Sequence, residues 1–219
     1  MLWGKKEVLA NIRNRDGKRG FYLGKGDLLT SDAKDKLARQ RIEILPADAI
    51  PKSGDKPENM THLNAQQLVE KTHPRIRFRG AVDILEAELL LAIGDCPGQE
   101  KQLGEVLELA RRLIRCDVLN EPVGDLLLGG MDEDALRRRS HRPQDFYGVA
   151  HFMPSAADGG ALLVVNRLRA LVRQVELKAV EAFPDRQDMV QALNRMSSFL
   201  YLIMVQMKGI ENGKLKMEN

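Results

Sequence analysis

Cysteine is scarce in this sequence, and so are aromatic side chains, long apolar runs and any large excess of one charge. Among 219 residues only Cys96 and Cys116 carry thiols. Two cannot make a disulfide framework or, alone, a four-ligand zinc site, so a reducing, cytoplasmic compartment is expected. Aromatics amount to 5% with a single tryptophan, which tilts the chain away from sandwiches and barrels. No stretch approaches the roughly 20 apolar residues of a membrane span. The opening MLWGKKEVLANIRNRDGKRG is basic but has no apolar centre, so it does not read as a secretory signal. The net charge of +3, from 34 basic and 31 acidic residues, is too small to argue for nucleic acid. Phosphate-binding glycine motifs are absent too. DGKRGFYLGKG contains no GxxxxGK[ST], and no GxGxxG stands at a strand–helix junction. His62, His73, His141 and His151 are scattered without i, i+4 pairing, so no transition-metal site is expected.

What is present is helix. Hydrophobic residues make up 43% and charged residues 30%, the balance of a globular chain. A composition break falls near residue 58. Residues 1–57 are basic and punctuated by glycine, and they read as a small α/β appendage. FYLG is a strand there, Thr30 or Ser31 caps a helix running to about Gln40, and RIEIL alternates as a strand. PADAIPKSGDKPE carries three prolines and reads as a loop. Residues 58–219 carry the helical period. Leu103, Val106, Leu107, Ala110, Leu113 and Ile114 form one apolar stripe. Further long helices are expected over about Phe78–Ile93, Gly160–Phe183 and Arg186–Lys208, with a short one over about Asp132–Arg139. The predicted fold is mainly α: an antiparallel helical bundle with a small α/β N-terminal appendage.

Polar residues on these helices mark the candidate site. Asn166, Arg169, Arg173 and Glu176 stand at i, i+3, i+7 and i+10, on one helix face. Two arginines one turn apart present a double guanidinium fork suited to phosphate oxygens. The same spacing equally describes a solvated face with an Arg173–Glu176 pair. Asp83 follows Val82 on a largely apolar helix, where a carboxylate needs a cation such as Arg169 or Arg173; an exposed acid near the helix start is the alternative. Asn194, Ser197 and Tyr201 form a polar strip amid apolar residues. The basic run RRRSHR, residues 137–142, lacks interleaved aromatics and reads as a solvated helix end.

Several segments together resemble the cobalamin adenosyltransferases, most closely the ethanolamine-utilisation type. They are KPENMTHLNAQQLVEKTHPRIRFRGAVDILEAELLLA, LIRCDVLNEPVGDLLLGGMDEDALRRRSHRP, HFMP, LLVVNRLRALVRQVELKAV and QALNRMSSFLYLIM, in the family's order. The propanediol type is recognisable in weaker form through RGAVD, LRALVRQVE and LNRMSS. The resemblance implies adenosyl transfer from ATP to cob(I)alamin, giving adenosylcobalamin and triphosphate, with Mg²⁺ accompanying ATP. Arg169 and Asp83 are then the catalytic residues. Lys71, Arg75, Arg169, Arg173, Glu176 and Asn194 bind ATP, and the N-terminal appendage completes that site. YLGKGDLLT departs from the family's glycine–threonine motif, which leaves Lys25, Gly26 and Thr30 in its place. His151 or Phe152 of HFMP occupies the lower face of cobalamin, where removal of the axial ligand makes cobalt easier to reduce. Some ethanolamine-type members carry a cysteine-rich metal cluster; the matching interval here has neither cysteine nor histidine, which implies a metal-free branch. The resemblance also implies a homo-oligomer, trimer or dimer, and delivery of product to a cobalamin-dependent lyase or dehydratase of ethanolamine or diol breakdown. Its implied location is the cytoplasm or a bacterial microcompartment, with no nucleic-acid or membrane partner. A non-catalytic corrinoid- or nucleotide-binding chaperone on the same bundle is the alternative.

Overall fold

Two compact units divide the chain, residues 1–73 and residues 74–219. The computed structural model describes residues 2–10, 12–15, 18–24, 26–46, 57–64 and 67–213. Lys25 and most of PADAIPKSGDKPE lie outside them.

The first unit comprises β1 (Leu2–Trp3), α1 (Lys5–Ala10), β2 (Arg13–Arg15), β3 (Lys18–Leu23), β4 (Leu28–Leu29), α2 (Ser31–Arg39), β5 (Glu43–Pro46), β6 (Met60–Asn64) and β7 (Gln67–Glu70). β3 is central to a small sheet, antiparallel to β2 and parallel to β5. β1 runs parallel to β4, and β6 and β7 form a separate hairpin. Val8, Phe21, Ala33, Leu37 and Ile42 form the core, with the Trp3 ring edge-on to Phe21 at 5.3 Å. Thr30 is the N-cap of α2, its side chain accepting from the Ala33 N–H at 3.3 Å. The expected FYLG and RIEIL strands lie in β3 and β5. The two- and three-residue strands and the β6–β7 hairpin are not visible in the sequence, because runs so short or so polar carry no alternation to read. That hairpin packs beside β2, so this unit extends to His73 and not only to residue 57.

In the second unit α3 (Pro74–Asp95), α4 (Glu100–Leu119), α7 (Gly160–Ala182) and α8 (Gln187–Glu211) form the bundle, and α5 (Glu133–His141) and α6 (Pro143–Tyr147) decorate it. α3 starts a turn earlier than expected, with Pro74 first, where its missing N–H costs nothing. α7 packs on α3 and α8, and α4 packs on the same two. Contacts between helix ends fix the directions. Cys96, just past α3, meets the Ala161 carbonyl at the start of α7, while Phe78 at the other end of α3 stacks edge-on against Phe183. Gln102 near the start of α4 donates to Gln206 near the end of α8. Both pairs are therefore antiparallel. Since α3 to α4 and α7 to α8 turn back through short links, α4 and α7 run the same way. A long connection is required to return along the bundle, about 30 Å for a 20-residue helix, and residues 120–159 supply it. α5 and α6 pack on α8, and this is why α8 is buried over most of its circumference. Gly129 and Gly130 make a tight turn between Leu128 and Met131 with φ of +57° and +70°. A Cβ on Gly129 would stand 2.6 Å from the Phe199 ring. Both cysteines are buried and free, and burial pushes their thiols up, leaving them in the unreactive form. No helix among the described residues is long and apolar enough to cross a membrane.

The long connection is clasped at its start. Arg186 donates to both Asp188 carboxylate oxygens at 2.9 Å and to the Glu121 carbonyl at 2.7 Å, and Asp188 accepts from the Val123 N–H at 3.0 Å. The guanidinium first, then the Val123 N–H, lower the Asp188 carboxyl to about 2. A carboxylate depressed on folding adds stability above its ordinary pKa and loses it as pH falls towards the folded value. The stability difference between wild type and Asp188→Asn should hold steady from pH 7 to 5 and shrink between about pH 4 and 2. Urea denaturation across that range reads it; a difference that grows on acidification would contradict the clasp.

Candidate functional site

One open cleft of about 490 Å³ gathers most of the singled-out residues. α7 contributes Arg169, Arg173 and Glu176. α8 contributes Asn194, Ser197, Ser198, Tyr201 and Met204. The long connection contributes Ser140, His141 and the segment His151, Phe152, Met153, Pro154. The α7 residues share a wall because spacings of three and four place them on one stripe, about a quarter turn round the helix from Leu168, Val172 and Val175 in the core.

Electrostatics favours an anion at that wall. Among the described residues Arg169 donates only to the neutral Asn166 Oδ1, at 3.3 and 3.4 Å. Neither Arg169 nor Arg173 has a carboxylate partner among the described residues. The Arg173–Glu176 pair of the alternative reading does not form; Glu176 accepts instead from Asn194 Nδ2 at 3.1 Å. A larger groove of about 690 Å³ along α4 contains arginines too. There Arg111 pairs with Glu86 and Glu108 and Arg115 with Glu121, and none of the candidate ATP or corrinoid residues lines it.

Another part of the lining is aromatic. His151 stacks on Tyr201 with ring centroids 5.7 Å apart and planes 13° from parallel, and Phe152 lies tilted at 6.2 Å from the same tyrosine. The His151 Nδ1 is 2.9 Å from the Tyr201 hydroxyl and its Nε2 is 3.1 Å from the His141 carbonyl. Burial raises the Tyr201 phenol, against the pull of the Phe152 N–H and Arg169, so the hydroxyl keeps its proton. The segment is fixed at its far end as well, since Asp158 pairs with Lys208 and accepts from the Ser155 N–H. Tyr201 and Lys208 are two turns apart on α8, so one helix face holds both ends of the loop.

Other residues of the sequence reading stand elsewhere. Asp83 is exposed on α3 and makes no ion pair with a described residue, so the expected pairing with Arg169 or Arg173 within one chain is corrected. Val82 and Leu85 take the core positions, and the helical rotation turns residue 83 outward. The buried acid is Asp117, 1% exposed, which accepts from Arg75 Nε at 2.5 Å and Arg79 Nε at 2.6 Å. Arg75 also donates to the Asp117 carbonyl and lies over the Phe183 ring. Lys71 belongs to the first unit, in an exposed turn where its N–H donates to the Asn59 carbonyl. Ser140, His141, Ser198 and Met204 also enter the cleft, although the sequence assigned them no role in the site. For Ser140 and His141, only the packing of α5 on α8 puts them there. Among the described residues no group of three or more His, Cys, Asp or Glu side chains could hold a metal ion.

A model of the cobalamin adenosyltransferase family matches residues 50–207. The corrinoid adenosyltransferase EutT of Escherichia coli strain K12 is 32% identical over 157 residues, 68% of this chain and 59% of the relative. Its counterpart in Salmonella typhimurium strain LT2 is 33% identical over the same shares. The chain thus spans about 59% of the length of the curated relatives it matches. Among solved structures, a variant of the PduO-type ATP:corrinoid adenosyltransferase of Lactobacillus reuteri, complexed with cobalamin and ATP, is similar with a TM-score of 0.55 and 16% identity. That likeness covers 78% of this chain and 98% of the other, and it is one of fold.

Proposed function

The chain belongs to the cobalamin adenosyltransferase family, and from that premise we propose that it transfers the 5′-deoxyadenosyl group of ATP to cob(I)alamin, giving adenosylcobalamin and triphosphate. One observation carries the reading. At the positions of the family's motifs, two arginines without carboxylate partners among the described residues share a cleft with aromatic side chains. The arginines suit a polyphosphate, and the wall of His151, Phe152, Met153 and Tyr201 suits the broad face of a corrinoid.

The chemistry asks little proton transfer of the protein. The cobalt(I) electron pair attacks the 5′-carbon and forms the cobalt–carbon bond. The carbon–oxygen bond breaks, and its electrons leave on triphosphate. Negative charge grows on the leaving oxygens, so guanidiniums already in place there lower the barrier. Holding cobalt and carbon in line removes the entropic cost of a two-body encounter. Asn194 and Glu176, bonded to each other, orient the nucleotide beside Arg173. Mg²⁺ travels with ATP as a hard cation on phosphate oxygens; Glu176 is the carboxylate in the cleft that would reach it, and the ion supplies further charge neutralisation. Lys71, Arg75 and Asp83 are assigned to ATP by motif. A homo-oligomer, trimer or dimer, with ATP between subunits accounts for Asp83 lying outside its own chain's cleft.

The product would serve a cobalamin-dependent lyase or dehydratase of ethanolamine or diol breakdown, in the cytoplasm or a bacterial microcompartment. The ethanolamine-type name of the curated relatives supports the first pathway. The test is anoxic incubation with ATP and chemically reduced cobalamin. Expected is a light-sensitive adenosyl–cobalt product with one triphosphate per adduct. Folded protein that binds corrinoid but forms no adduct overturns the reading in favour of a corrinoid-binding chaperone.

A further inference from the structure

His151 sets a problem for the corrinoid reading. Imidazole is the commonest nitrogen ligand of protein-bound metals, and a ring nitrogen bound below cobalt would make reduction to cobalt(I) harder. The structure shows how the ring is disarmed. Its Nε2 faces the His141 carbonyl at 3.1 Å, and a carbonyl only accepts, so Nε2 carries a proton. Its Nδ1 faces the Tyr201 hydroxyl at 2.9 Å. In the neutral ring the Nδ1 lone pair accepts a hydrogen bond from the tyrosine hydroxyl; in the charged ring Nδ1 is itself protonated. In either state neither nitrogen offers a lone pair to a metal. The tautomer is assigned from this network. Stacking on Tyr201 at 5.7 Å holds the ring in place, and α8 anchors both ends of the loop that carries it.

We propose that Tyr201 is a positioning residue that keeps His151 from ligating the cobalt of the corrinoid substrate, so that the imidazole serves as a wall of the cleft and not as an axial ligand. The proposal rests on the corrinoid reading above. Tyrosine does two jobs here, and phenylalanine would keep only one of them: the stacked ring stays, the proton donor goes.

The test uses electron paramagnetic resonance of cob(II)inamide, a corrinoid without an intramolecular base, bound to the full chain with ATP. A nitrogen ligand splits each cobalt line into three, and with this probe that nitrogen comes from the protein. Wild type should bind the probe and show no three-line pattern. Tyr201→Phe should show it, and the double variant Tyr201→Phe with His151→Phe should lose it. A three-line pattern in wild type overturns the proposal. So does its absence in Tyr201→Phe that still binds, or its persistence in the double variant, which would point to another histidine such as His141. Failure of wild type to bind the probe overturns the corrinoid reading and the proposal with it.

Discussion

Arg169→Ala is expected to slow adenosylation by about 10²–10³-fold while leaving the fold intact. Removing one preorganised donor from a developing anion costs on the order of 3–4 kcal/mol of barrier, and each 1.4 kcal/mol is tenfold in rate. Stability should change little. Among the described residues the side chain hydrogen-bonds only to Asn166, at long distances, and it makes no ion pair with any of them. Arg169→Lys should fall between the two, because lysine keeps the charge but not the planar fork. Single-turnover rates from cob(I)alamin and ATP, with thermal melts alongside, separate catalysis from folding. A rate within threefold of wild type in the alanine variant would remove Arg169 from the triphosphate site. Arg173 lies one turn away in the same cleft, so the double alanine variant should lose less than the sum of the singles.

Asp117→Ala should be the most destabilising single change outside the apolar core, at about 3 kcal/mol. The carboxylate is fully buried while Arg75 and Arg79 are 26% and 18% exposed. Its loss strips a counter-charge from two partly buried guanidiniums at once. Removing one member of a buried pair is costly because the charge left behind has already given up its water. The bond from Arg75 to the Asp117 main-chain carbonyl survives the substitution and keeps the loss near the lower end of the usual range. Asp117→Asn keeps the shape and one acceptor, so it should cost less. Urea denaturation midpoints at constant slope measure both; a shift worth under about 0.5 kcal/mol for the alanine variant would show that the arginines' remaining contacts hold them without the carboxylate. Arg75 is also the residue assigned to ATP by motif, so Asp117→Asn reports in addition whether a fixed guanidinium there matters for turnover.

Asp83 and Asp117 show where sequence reasoning reached its limit. The rule applied to Asp83, that an acid on an apolar helix needs an arginine, holds in this protein, but for Asp117. Choosing between them requires the rotation of each helix against its neighbours. One residue is 100° of turn, so Asp83 beside Val82 faces outward while Asp117 beside Cys116 faces in.

The sequence by itself determined the helical bundle, the approximate spans of its four long helices and the α7 stripe, because periodicity and spacing are local properties that the backbone geometry translates directly into faces. It also determined the family, through motifs whose order is a property of the chain alone. Tertiary structure decided the rest. It brought Ser140 and His141 from α5 and Met204 from α8 into the cleft. It left Arg169 and Arg173 without acidic partners among the described residues, gave Glu176 to Asn194, and set the Tyr201 hydroxyl against His151. These depend on which helix faces meet and at what height, and that is settled by packing between segments far apart in sequence, where no spacing rule reaches.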